Sequence, residues 1–185
     1  MTNQIEKDED APKQFTRPSL AGPQTRVQLI VTAALLTAVV FVVTRFLGIP
    51  LGDGWLNLGD SSIAASALLL SHPLVALAAG LGSALSNLTS GHLIFAPATF
   101  IIKGSMGYVL YLFAKRGSFA WFAVGVLCAE IIMLVGYTAY IFLLVDVGSL
   151  ASIPGNLFQA AANFVLALLL YVPIMKLRGV LWQQR

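Results

Sequence analysis

Residues 27–47, 94–114, 119–145 and 155–177 are four apolar stretches of about the length that crosses a bilayer. A helix rises 1.5 Å per residue, so about 20 apolar residues span a hydrocarbon core of ~30 Å. A chain of 185 residues with four such runs has one architecture open to it, a bundle of helices in a membrane. Composition agrees. The chain is 58% hydrophobic and 10% charged, where soluble domains run at about 45–50% and about 25%.

Between the first two runs lies "LGDSSIAASALLLSHPLVALAAGLGSALSNL", too long for one span and short for two. Proline at 73 pushes the preceding residue out of the helical region, so the segment divides into helices at 58–71 and 73–89. The expected fold is therefore an all-α integral membrane protein, a six-helix bundle over residues 27–180. Short, glycine-rich helices at membrane depth pack inside a bundle or border a cavity. Residues 1–26 mix proline, charge and polar groups without an apolar centre. They read as a disordered tail rather than a signal peptide.

Six crossings put both ends of the bundle on one side, with the loops near 72 and 115–118. That side collects nine of the eleven lysines and arginines, the exceptions being Arg45 and Lys103. The positive-inside rule makes it cytoplasmic. The outer loops are then 48–57, 90–93 and 146–154.

Several function classes drop out. No Gly-rich Lys-Ser/Thr loop is present for nucleotide hydrolysis, and no nucleophile elbow frames a serine. Cys128 is alone, and His72 and His92 fall at opposite faces, so neither a disulfide nor a metal centre is expected. No basic stripe with interleaved aromatics suits nucleic acid.

What remains is a polar set toward the outer half. The second helix brings Asn57, Asp60 and Ser61, and the third ends with Ser83, Ser86, Asn87 and Thr89. The sixth begins with Asn156, Gln159 and Asn163, spaced three and four apart and so on one helical face. Single amides at such depth often serve only to join helices. The group together, with His92 in the next outer loop, points to a polar small molecule. Trp55, Tyr137 and Tyr140 are placed to cap a flat ring, or to belong to the interfacial aromatic belt.

Lys103 is the odd charge in "FAPATFIIKGSMGYVLYLF". Intramembrane charges are rarely unpaired, and three partners are open: Glu130, Asp60 and the ligand. The sequence favours a structural pair with Glu130. In the first helix, Ala34 and Ala38 stand four apart, a spacing that lets a second helix approach closely. They serve internal packing or the docking of another membrane protein.

The block Leu58-Gly59-Asp60, Gly80-Leu81-Gly82-Ser83 with Asn87, and Ile102-Lys103-Gly104 resembles the substrate-binding S components of energy-coupling factor (ECF) transporters, in their riboflavin-transporter-like branch. The likeness is most specific over residues 56–107. Asn87 stands where an acid is common, and Ser71-His72-Pro73 replaces the usual Gly-Pro turn. The resemblance implies a multi-pass protein of a bacterial cell membrane that captures a vitamin or precursor, of pyridoxine or hydroxymethylpyrimidine type. It implies docking on a transmembrane coupling (T) protein served by two ATPase subunits, with Ala34 and Ala38 in the docking motif and no cofactor of its own. Two other readings are an autonomous secondary carrier and a scaffold without a ligand. The carrier would show two related halves, and no internal repeat is visible.

Overall fold

A computed structural model describes residues 25–51, 54–70, 72–144 and 153–183, apart from the side chains of 49–51, 54, 55, 144 and 180–183. The expectation for the tail falls almost wholly outside these residues.

The described residues form six α-helices: α1 Arg26–Phe46, α2 Gly59–Leu70, α3 Leu74–Thr89, α4 Ala96–Ala114, α5 Phe119–Leu144 and α6 Ile153–Gln183. Four are long and apolar enough to cross a membrane, while α2 and α3 are shorter. Thr25 opens α1 with a reciprocal cap, its hydroxyl accepting from the Gln28 N–H at 3.3 Å and Gln28 Oε1 accepting from the Thr25 N–H at 3.1 Å. Contacts run in a ring from α1 through α3, α4, α5, α6 and α2 back to α1, and α2 also touches α4.

That ring explains the sequence of α2. It is buried on nearly every side and is built from glycine, serine and alanine before its terminal leucines. Its serines satisfy themselves on their own helix, Ser62 on Gly59 O at 2.6 Å and Ser66 on Ser62 O at 2.8 Å. Close approach elsewhere depends on missing side chains. A Cβ on Gly107 would stand 2.9 Å from Val75 O and 3.0 Å from Ala79 Cβ, and one on Gly82 2.7 Å from Thr37 O. Gly107→Ala is therefore expected to lower stability by about 1–3 kcal/mol through overpacking of α3 on α4. Gly155→Ala, where a Cβ meets nothing within 4 Å, should leave the melting temperature in detergent nearly unchanged.

The outward faces are apolar. Exposed Val27, Ile30, Val31, Leu35, Val39 and Val42 run down α1, and Val124, Leu127, Ile131 and Val135 down α5. Surfaces of this extent belong against lipid tails or another membrane protein.

Three details differ from the sequence expectation. Residues 48–57 are more than a loop, because β1 Gly48–Leu51 pairs antiparallel with β2 Gly54–Asn57 in a two-stranded hairpin. The last helix continues past 177 to Gln183, with Pro173 inside it. Arg178 is consequently not a free cytoplasmic charge. It is buried, and its guanidinium donates to Leu68 O at 2.9 Å, satisfying a carbonyl at the C-terminal end of α2.

Candidate functional site

The hairpin decides where the site lies. Because it carries the chain from the end of α1 back into the bundle, α2 begins buried rather than at the surface, with Gly59 and Asp60 already enclosed. Asn57, at the end of β2, is thereby set against α6.

Around this junction lies a partly open cavity of about 460 Å³. Small-molecule sites are commonly about 300–1,000 Å³. Thr44 and Arg45 of α1, Asn57 of β2, Ser86 and Asn87 of α3, and Ser90 and His92 of the following turn supply one part of its wall. Phe95, Tyr137 and Ile141, with Asn156 and Gln159 of α6, supply the rest. Gly91 between the two turn residues has φ +83°, which a residue with a Cβ rarely adopts. His92 Nδ1 lies 3.2 Å from Ser90 Oγ, and the His92 N–H donates to Asn87 O at 2.9 Å.

Asn57, Asn87, His92, Tyr137, Asn156 and Gln159 are thus brought together on one cavity. Three other residues expected to meet a ligand are not on its lining. Asn163 is fully buried and its amide is taken up by the protein. Oδ1 accepts the Ser61 N–H at 3.0 Å, and Nδ2 donates to Asn57 O at 2.8 Å and Gln159 O at 3.0 Å. It pins the start of α2 and the end of the hairpin to α6.

Asp60 and Lys103 form a buried ion pair behind the lining, with both side chains almost wholly enclosed. This corrects the expected pairing of Lys103 with Glu130. Among the described residues, Glu130 Oε2 has no hydrogen-bond partner. The reason is the recessed start of α2. Lys103 lies seven residues into α4, roughly 10 Å along its axis, and the hairpin delivers Asp60 to within reach of it. Lys103 Nζ also lies over the Tyr137 ring, 5.4 Å from its centroid.

The pair is tied to the cavity through Gln159, whose Nε2 donates to Asp60 Oδ2 at 3.2 Å while its Oε1 accepts from the Asn57 N–H at 3.2 Å. Thr99, which is not itself on the lining, joins three helices. Asn87 Nδ2 donates to Thr99 Oγ1 at 2.6 Å, and Thr99 Oγ1 lies 2.9 Å from the Tyr137 hydroxyl. The sequence reading missed Thr99, Thr44 and Arg45. Thr99 was open to discovery, since it sits four residues before Lys103 and so on the same face of α4.

Tyr140 is not on the lining; it packs on Phe95 and donates from its hydroxyl to Ile94 O. The side chain of Trp55 lies outside the described residues. Ala34 and Ala38 are exposed on the outward face of α1, so internal packing is not their use. Among the described residues no group of three or more His, Cys, Asp or Glu could hold a metal ion.

Residues 24–176 match the family model described as ECF-type riboflavin transporter, S component. The chain belongs to the ECF S-component family. An S component is the substrate-binding subunit of a vitamin-type transporter and not an enzyme, which fits a lined cavity in a multi-pass bundle. The family also implies a small-molecule vitamin substrate, with T and ATPase subunits as partners. A curated relative from Pyrococcus woesei, named only as an uncharacterized protein in a gap 3' region, is 29% identical over 120 residues. The match covers 64% of this chain and 80% of the relative.

Proposed function

We propose that this S component binds a small, polar, aromatic vitamin or vitamin precursor, of the pyridoxine or hydroxymethylpyrimidine type, for ATP-driven uptake. The observation that carries the reading is the cavity itself, where amides from β2, α3 and α6 share a lining with Tyr137. Amides and hydroxyls fix the orientation of a heteroaromatic ring, and an aromatic face covers it. Riboflavin is the second candidate, favoured by the description of the matching family. The cavity lies at the hairpin end, away from Lys115 and Arg116, and the positive-inside rule makes that end extracellular. Capture is from outside. ATP hydrolysis falls to two partner subunits reached through the T protein, with Ala34 and Ala38 at the contact.

Mass spectrometry of small molecules released from the purified, folded protein tests the reading and names the ligand. A pyridoxine-type vitamer or hydroxymethylpyrimidine is the expected result. Riboflavin would select the second candidate, and a protein that releases and binds none of these would refute both. Gln159→Ala should weaken binding of the released compound by about 1–3 kcal/mol, because a buried polar partner is lost. Calorimetry on a variant whose melting temperature is checked separately gives the number.

A further inference from the structure

Groups of fixed polarity decide which way the amides at the cavity are turned. A backbone N–H can only donate, and an ionised carboxylate can only accept. Asn57 Oδ1 accepts the Gly59 N–H at 3.0 Å, so turning that amide over would set N–H against N–H. Its Nδ2 is left facing Gln159 Oε1 at 3.4 Å. Gln159 is fixed at both ends. Its oxygen accepts the Asn57 backbone N–H, and its nitrogen donates to Asp60, whose charge is held by Lys103. The reversed amide would oppose donor to donor at one end and acceptor to acceptor at the other. Among the described residues, Asn57 Nδ2 and Gln159 Nε2 each retain one hydrogen after these bonds, and both residues line the cavity.

We infer that Asn57 and Gln159 form a fixed pair of hydrogen-bond donors that selects ligands carrying lone-pair acceptors on the ring edge, of the pyridine or pyrimidine nitrogen kind. The hydroxyl groups about the cavity impose no such sign. In the Asn87–Thr99–Tyr137 chain either hydroxyl can donate or accept, so that chain adapts to what the ligand presents. Discrimination by these two amides therefore sits with the hairpin and α6, and Arg45 of α1 adds a donor of the same sign. A ring that turns a donor or a C–H to this pair leaves two amide hydrogens without partners in a desolvated site, which costs more than a contact made in water. The inference rests on the proposed vitamin-binding role of the cavity and adds the polarity of the substrate.

The test uses the full chain purified in detergent and titrated calorimetrically with pyridoxine, 4-amino-5-hydroxymethyl-2-methylpyrimidine and riboflavin. Each is compared with its deaza analogues, in which C–H replaces an unsubstituted ring nitrogen with little change of shape. At least one parent should bind, with one of its analogues at least tenfold weaker. Asn57→Asp keeps the acceptor for Gly59 and removes the donor, and Asn57→Ser removes the amide altogether. In whichever of the two melts like the parent protein, the gap between ligand and analogue should shrink severalfold. A parent compound that binds no better than any of its analogues overturns the donor pair and leaves the vitamin pocket standing. Binding by none of the three parents removes the pocket reading, and the donor pair with it.

Discussion

Lys103→Met will destabilise the bundle by about 3–5 kcal/mol, the cost of leaving one member of a buried ion pair without its counter-charge. The stranded group is Asp60, enclosed at the start of α2 and, among the described residues, bonded otherwise to Gln159 Nε2. Asp60→Leu alone should cost a similar amount by stranding the lysine. Lys103→Met with Asp60→Asn should recover most of the loss, because the asparagine oxygen still accepts from Gln159 and no charge remains. The expected result is read from melting in detergent, followed by ligand titration on the variants that fold. Lys103→Met combined with Glu130→Gln should recover nothing. Recovery in that second pair and not in the first would return Lys103 to the Glu130 pairing that the sequence favours.

Ala34→Trp or Ala38→Trp is expected to abolish uptake by the assembled transporter while ligand binding by the isolated subunit stays normal. Both alanines lie exposed on α1, so an indole there meets no other helix of this chain. It would instead hold a partner helix several ångströms away, and helix association in lipid depends on close packing of small residues. Uptake assays with co-expressed T and ATPase subunits, alongside calorimetry on the isolated chain, separate the two effects. Full transport in both variants would place the docking contact elsewhere on the apolar surface.

Much of the candidate site is visible in the linear order of residues. Asn156, Gln159 and Asn163 share a helical face because of their spacing alone, and the structure keeps all three on the inner side of α6. Which of them meets the cavity is not a property of spacing. Asn163 is taken up by the backbone of residues 57, 61 and 159, whereas Asn156 and Gln159 stay on the lining. Lys103 shows the same limit. Its need for a counter-charge follows from its apolar context, but the choice between two carboxylates depends on the depth at which each helix starts.

The sequence by itself determined the architecture: six apolar helices, two of them short, and a polar group gathered toward one end. Those properties follow from run length, composition and helical periodicity, each of which is local. Tertiary structure alone decided the pairing of Lys103 with Asp60, the burial of Arg178 against Leu68 O, and the hydrogen bonding of Asn57 to Gln159. Every one of these joins residues between 43 and 110 positions apart. The first and last of them involve the hairpin that sets the start of α2 inside the bundle, and a depth along the membrane normal is written in the packing of helices rather than in any single stretch of chain.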